Sequence, residues 1–239
     1  MLKYERHQEI IKILQENHSC SIKDIAKKIY ISEATVRRDV EALEKKGLLH
    51  RTYGAVILSE YINDVIPYTI RENTNSAIKE KIAKRAVSLI SDGNIILMDN
   101  SSTVKRMIKY ISGVSNIKII SNSISLFAEV QGNKNITFYS TGGKFNKHNN
   151  VLVGDVTEDY INNINADILF FSAQGISETG EISDVSEDET PIRKAMIKRA
   201  AKKIFLCDSS KIGVKKMLKI CDKNDLDEII CDAPLPWEK

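Results

Sequence analysis

The sequence predicts an α/β protein in two parts: a small helical module with a β-ribbon, then a larger, mainly parallel α/β domain. Three observations carry this reading. Apolar residues in the first 58 positions recur at helical spacing and end in two short β-like runs. From residue 95 onward, short apolar runs alternate with amphipathic stretches, the pattern of βα units around a parallel sheet. Charge is also divided unevenly. Residues 1–58 hold 11 Lys and Arg against 8 Asp and Glu, and the remainder balances, so the whole net charge of +3 lies in the first quarter. That asymmetry points to a small anion-binding module attached to a neutral domain.

Length and composition narrow the class. A chain of 239 residues that is 42% apolar can bury a sizeable core, as one large domain or as a small and a medium one. No run approaches the roughly 18 apolar residues of a membrane span, and "MLKYERHQEI" lacks the apolar centre of a secretory leader. Cys20, Cys207, Cys221 and Cys231 show no C-x-x-C spacing, and His7, His18, His50 and His148 are scattered. No metal site or cofactor is expected, and the setting expected is a reducing cytoplasm.

In the first module, residues 3–17 place Ile10, Ile11 and Leu14 on one side of an amphipathic helix. Ser21 suits the N-cap of a second helix, with Asp24 three positions on in the manner of a capping box. Ile22, Ile25, Ala26 and Ile29 keep helical spacing. "YIS" interrupts it, and Ser32 caps a third helix whose core seam is Val36, Val40 and Leu43, ended by Gly47. At 100° per residue Arg38 lies about 200° from Val36, on the outer face with Thr35, and Arg37 sits on the flank. "LLHRTYGAVIL" then reads as two strands about a turn at Tyr53-Gly54, with His50 and Arg51 alongside.

Two short helices, a tight turn and an outward Thr/Arg face make a winged helix-turn-helix. Its last helix can enter the major groove of DNA. There an arginine can donate two bonds to guanine, while its neighbour reaches a phosphate. Ser32, Thr35, Arg37, Arg38 and Arg51 are the candidate DNA contacts. A solvated helix followed by a hairpin is the plain alternative for any one of these features. Their coincidence with the charge asymmetry favours DNA.

Residues 59–76 contain Pro67, break the apolar rhythm and read as a linker between domains 1–58 and 77–239. "AIKEKIAKRAVSLISDG" opens the second domain as a long helix ended near Gly93. Strands follow at "NIILMD", "IKIIS", "ITFYST", "ADILFFSA", "KKIFLCD" and "DEIICD", with helices at "STVKRMIKYI", "SISLFAEVQ", "GDVTEDYINN" and "TPIRKAMIKRAA". In open α/β sheets ligands bind beyond the carboxyl ends of the strands. Polar residues collect there: Asp99 with Ser101, Ser102 and Thr103; Asn122; Gly142-Gly143; Gln174-Gly175; Asp208 and Lys211. Hydroxyls opening a helix suit a phosphate, although N-capping alone explains any single such loop. Five polar strand ends in one sheet point to a small polar or phosphorylated ligand.

Two stretches resemble the DeoR-type transcriptional regulators. "SIKDIAKKIYISEATVRRDVEALEKKGLLHRTYGA" is similar to their winged helix-turn-helix, departing from a two-glycine wing turn in that Gly54 stands alone. Residues 68–232 are similar to their second domain through "DNSST", "SNS", "GG" with Val153-Gly154, "AQGI", "ETPIRKAMI" and "DSSKIG". The resemblance implies a sugar-phosphate sensor with a fold like ribose-5-phosphate isomerase. It implies a phosphate role for Ser101, Ser102, Thr103 and Lys211, and sugar contacts from Asp99, Asn122 and the Gly142-Gly143 loop. Asn146, Gln174 and Arg193 depart from the arginine, the acidic or small residue and the lysine usual at those places.

The function expected is a transcriptional repressor of sugar-metabolism genes controlled by a phosphorylated sugar. It would bind double-stranded operator DNA as a homo-oligomer, because one reading head contacts few base pairs. Two other classes compete. A constitutive DNA-binding protein would use its second domain only to oligomerise. An isomerase would need a positioned carboxylate base; Gln174 cannot take a proton, which leaves Asp99, Glu189 and Asp208.

Overall fold

The computed structural model describes residues 2–17, 19–46, 48–52, 55–58, 68–147 and 149–238. The chain divides into two compact units, residues 1–75 and 76–239. Among the described residues no helix is long and apolar enough to cross a membrane.

The first unit contains α1 (Lys3–Asn17), β1 (Ser19–Cys20), α2 (Ile22–Lys28), α3 (Glu33–Lys45), β2 (Leu49–Thr52) and β3 (Ala55–Leu58). The caps form as the residue types dictate. The Ser21 Oγ accepts from the Asp24 amide at 3.0 Å and donates to the Asp24 carboxylate at 2.7 Å. The Thr35 amide donates to the Ser32 Oγ at 3.3 Å, and the two hydroxyls lie 2.9 Å apart. Between α2 and α3 the chain turns through Tyr30 at φ 56. Ile10 and Leu14 of α1, Ile25 of α2 and Val36, Val40 and Leu43 of α3 share one core with Leu49, Val56 and Leu58 of the strands. The strands pair antiparallel in the order β1-β3-β2; the sequence reading had missed the two-residue β1. Gly47 and the Tyr53-Gly54 turn lie outside the described residues.

The expected linker, residues 59–76, is described only from residue 68 onward. Residues 59–67 lie outside the described residues, but Tyr68–Asn73 form a helix, α4.

The second unit is built on a parallel sheet in the order β14-β12-β9-β4-β5-β6. These strands are β4 (Ile95–Met98), β5 (Ile117–Ser121), β6 (Ile136–Ser140), β9 (Ala166–Phe171), β12 (Ala200–Leu206) and β14 (Glu228–Ile230). Side chains alternate between faces as the period of two requires. Ile96, Met98, Ile119, Phe170 and Ile204 face α5 (Ser76–Val87) and α7 (Ile124–Val130). Leu97, Leu169, Phe171 and Phe205 face α8 (Asp155–Asn162) and α9 (Glu189–Arg199). The opening helix ends at Val87 rather than near Gly93. "STVKRMIKYI" is a one-turn α6 (Ser102–Lys105) followed by a 3-10 turn at Arg106–Tyr110. Short antiparallel pieces that sequence periodicity did not reveal complete the unit. They are β7 (Lys144–Asn146) with β8 (Val151–Val153), and β10 (Gly175–Ile176) with β11 (Glu181–Asp184) and β13 (Leu218–Asp222). β7, β8 and β10 have only two or three residues, and polar residues interrupt β11 and β13, so none presents the sustained apolar run that marks β4.

From β4 the chain steps outward to β5 and β6, then returns to β9 on β4's other side and continues outward to β12 and β14. The strand order therefore reverses between β4 and β9. The crevice beyond their carboxyl ends is the place where such sheets hold ligands.

Candidate functional sites

On α3, Arg37 and Arg38 are exposed and Thr35 half-buried, on the side away from the Val36–Val40–Leu43 seam. Arg37 lies 3.7 Å from Glu33, one turn back. Arg38 forms no ion pair among the described residues, so its guanidinium is available to a partner. Arg51 is more constrained. Its amide donates to one Glu44 oxygen at 2.9 Å and its Nε to the other at 2.6 Å, tying β2 to the end of α3. Those bonds, the amide first, hold the Glu44 carboxyl below the usual carboxylate range.

The orientation of α3 depends on a residue that sequence reasoning missed. Asp39 is buried beside Val36 and Val40 and accepts from Arg6 Nε at 2.7 Å and Arg6 Nη2 at 3.1 Å, with His7 Nε2 at 3.3 Å. Burial alone would raise its pKa, but the Arg6 and His7 bonds outweigh it and the carboxyl sits below its ordinary value. The stability it contributes is then fully present above the ordinary pKa of about 3.9 and lost as pH falls through the lower folded value. Asp39→Asn is expected to lower the unfolding midpoint of the first unit at pH 7. The gap from wild type should stay constant down to about pH 5 and close at lower pH. A gap that widens on acidification would reverse the assignment.

In the second unit, Asp99 at the end of β4 ties three segments together. One Asp99 oxygen accepts from the Ser101 amide at 3.0 Å, and the other from the Ser172 amide at 3.3 Å and from Arg193 Nε at 3.0 Å. Asp99 thus joins the end of β4 to the end of β9 across the switch point. Arg193 is buried and extends its other nitrogens to Asp184 at 3.3 Å and Glu189 at 3.0 Å. Desolvation alone would lower its pKa. The three carboxylates outweigh this, so the guanidinium holds its proton more tightly than usual.

Two lysines bear on serine hydroxyls around this network. Lys79 Nζ, buried on α5, donates to the Ser102 Oγ at 3.1 Å, and Lys211 Nζ donates to the Ser172 Oγ at 2.7 Å. Asn122 and Thr103 are also buried. Asn122 donates through Nδ2 to the Leu152 carbonyl at 3.0 Å, whereas its Oδ1 and the Thr103 Oγ1 have no hydrogen-bond partner among the described residues. The same holds for Asn149 Oδ1, whose Nδ2 donates to Glu189 at 2.8 Å, and for Thr190 Oγ1. Ser101 Oγ caps α6 by accepting from the Val104 amide at 3.2 Å.

The glycines at two of these ends answer to the chain's own packing. A Cβ on Gly143, at φ +115, would come 2.2 Å from the Thr157 Oγ1 and 2.8 Å from the Val153 carbonyl. One on Gly175 would come 2.4 Å from the Val214 carbonyl. Close approach of neighbouring segments leaves no room for a Cβ at either position. Gln174 is half-buried at the mouth of β9.

A helix-turn-helix with Arg38 exposed on its outer face, joined to an α/β unit with buried polar side chains at its switch point, fits a transcriptional regulator with its own sensor. Residues 6–61 match the DeoR-like helix-turn-helix domain and residues 74–233 the DeoR C terminal sensor domain. The chain belongs to the DeoR family. Among its relatives is the HTH-type transcriptional repressor GlcR of Bacillus subtilis, 31% identical over 97% of this chain and 89% of that one. The HTH-type transcriptional regulator GolR of Listeria innocua is 29% identical over 97% and 91%. The lactose phosphotransferase system repressor of Staphylococcus epidermidis is 29% identical over 97% and 93%. Ribose 5-phosphate isomerase A from Methanocaldococcus jannaschii superposes with a TM-score of 0.42 at 21% identity, over 58% of this chain and 55% of that one.

Proposed function

We propose that the protein is a repressor of sugar-metabolism genes. It reads operator DNA with α3 as a symmetric homo-oligomer in the cytoplasm, and it is controlled by a phosphorylated sugar bound beyond β4, β5, β9 and β12. The observation that carries this reading is the set of buried polar atoms around Asp99. Asn122 Oδ1 and Asn149 Oδ1 are acceptors without donors among the described residues, and a buried unsatisfied group costs about 1–3 kcal/mol. Sugar hydroxyls supply the donors these amides need. Lys79 with Ser102, and Lys211 with Ser172, supply donors for a phosphate. The names of the repressor relatives, one of them a lactose phosphotransferase system repressor, support the same class of ligand.

The arrangement favours this over isomerase chemistry. Gln174 cannot take a proton, and Asp99 and Glu189 are each already engaged by the Arg193 guanidinium, as Asp208 is by the Ser210 amide.

A thermal-shift screen against hexose, pentose and polyol phosphates tests the reading. A ligand at 100 times its dissociation constant adds about 2.7 kcal/mol of stability. Lys211→Ala and Ser102→Ala are each expected to weaken binding of the ligand so found by tenfold or more, with operator affinity kept. Unchanged affinity in both variants, measured by calorimetry, would remove the site.

A further inference from the structure

We propose that Cys207 and Cys231 form a peroxide-oxidisable dithiol whose disulfide restrains the turn carrying Lys211. Leu206 and Ile230 are in register on the parallel strands β12 and β14, and the Cys207 amide donates to the Ile230 carbonyl at 3.1 Å. Cys207 and Cys231 are therefore next neighbours across the two strand ends. Their side chains lie in the same core cluster with Phe205, on one face of the sheet. Adjacent strands run about 4.8 Å apart, inside the Cα separation of about 4.4–6.8 Å that a disulfide accepts. Both residues stand one position beyond the paired strand residues, where the backbone can adjust.

The two thiols are not equivalent. A hydrogen bond from Cys207 lowers the pKa of Cys231, and the same bond together with burial raises that of Cys207. Cys231 is also the less buried of the pair. Cys231 is the nucleophile and Cys207 the resolving thiol. The Cys231 thiolate attacks hydrogen peroxide. An S–O bond forms, the O–O bond breaks, and the departing hydroxide takes the thiol's proton to become water. The Cys207 sulfur then gives up its proton and attacks the Cys231 sulfur. An S–S bond forms, the S–O bond breaks, and the second hydroxide leaves as water with that proton. Two thiols and one peroxide thus yield one disulfide and two waters. Cys221 is a natural contrast: burial and the nearby Asp225 and Asp222 push its thiol up to about 12.

The consequence lies in the next residues. The Ser209 amide and hydroxyl donate to Asp232 at 2.7 and 3.0 Å, and the Lys211 amide donates to the Asp208 carbonyl at 3.0 Å. Opening this turn separates residues 207–211 from 231–232, and a covalent tether opposes that separation. Given the effector site proposed above, oxidation acts on the segment that positions Lys211; the dithiol itself does not depend on that reading.

The test treats the full-length protein with hydrogen peroxide, traps sulfenic acids with dimedone and maps peptides by mass. Wild type is expected to show a thiol-reversible Cys207–Cys231 link. Cys207→Ser should leave a trapped sulfenic acid on Cys231, and Cys231→Ser should give neither product. Oxidation confined to Cys20 or Cys221, or a trapped sulfenic acid on Cys207 in the Cys231→Ser protein, overturns the assignment. Hydrogen exchange then reads the restraint. Amide exchange at Ser210 and Lys211 should slow threefold or more in the linked protein, and equal rates before and after linking overturn the coupling to the turn.

Discussion

Arg193→Ala is expected to destabilise the sensor domain by about 3–5 kcal/mol, because removing one member of a buried ion network leaves the others uncompensated. Here three carboxylates are left facing one another: Asp99, Asp184 and Glu189, each within 3.3 Å of the guanidinium. For a domain of this size the loss corresponds to an unfolding midpoint lower by about 10 °C. Arg193→Lys should recover only part of it. An ammonium keeps the charge but lacks the planar fork that sends Nε, Nη1 and Nη2 to three different partners. Thermal unfolding followed by circular dichroism measures both variants. A midpoint unchanged in Arg193→Ala would mean that the cluster is not ionised as drawn. Because Asp99 also holds the Ser101 and Ser172 amides, the surviving folded fraction is expected to bind effector weakly.

Arg38→Ala is expected to lose about 1–3 kcal/mol of discrimination at one base-pair position, roughly tenfold to a hundredfold in relative affinity. Arg38 is exposed opposite the α3 seam and forms no ion pair among the described residues, whereas Arg37 is drawn toward Glu33 and Arg51 toward Glu44. Comparing the variant with wild type on a series of operator sequences and on random DNA separates the two roles available to an arginine. A loss concentrated at one position marks a base contact. An equal loss on every sequence would reassign Arg38 to a phosphate, and a salt dependence shallower by about one unit would accompany it.

The helices were legible because their apolar periods are long enough to read, and the central strands because they are apolar runs set between them. Val36, Val40 and Leu43 fell on the core side of α3, and the runs at β4, β5, β9 and β12 became the centre of the sheet. Both caps, Ser21 and Ser32, followed from residue type alone. The small antiparallel pieces were not legible, since β10 has two residues and its pairing is set by the tertiary fold. The missed charged residues share a signal. Asp39 stands three positions from Val36 and four from Leu43, and Lys79 stands three and four from Ile82 and Ala83, so each is an ionisable residue on an apolar helical stripe. Arg193 does the same beside Ile192 and Met196. Such a residue is retained in a core only with partners, and those partners are distant in sequence: Arg6 for Asp39, Ser102 for Lys79, Asp99 for Arg193. Position on the stripe was visible; the identity of the partner required the fold.

The central claim is that a ligand at the sheet's strand ends and DNA on α3 communicate, although the two sites share no residue. An effector can act at a distance only by binding the DNA-competent and incompetent arrangements of the protein with different affinities. Linkage then fixes a quantitative relation: the factor by which effector changes operator affinity equals the factor by which operator changes effector affinity. A tenfold coupling corresponds to about 1.4 kcal/mol, within the usual allosteric range. The direct test takes the sugar phosphate returned by the thermal-shift screen. Operator affinity is measured with and without saturating effector, and effector affinity with and without saturating operator. Equal factors that differ from one are the result expected. Operator affinity that is the same with and without a tightly bound effector would contradict the claim.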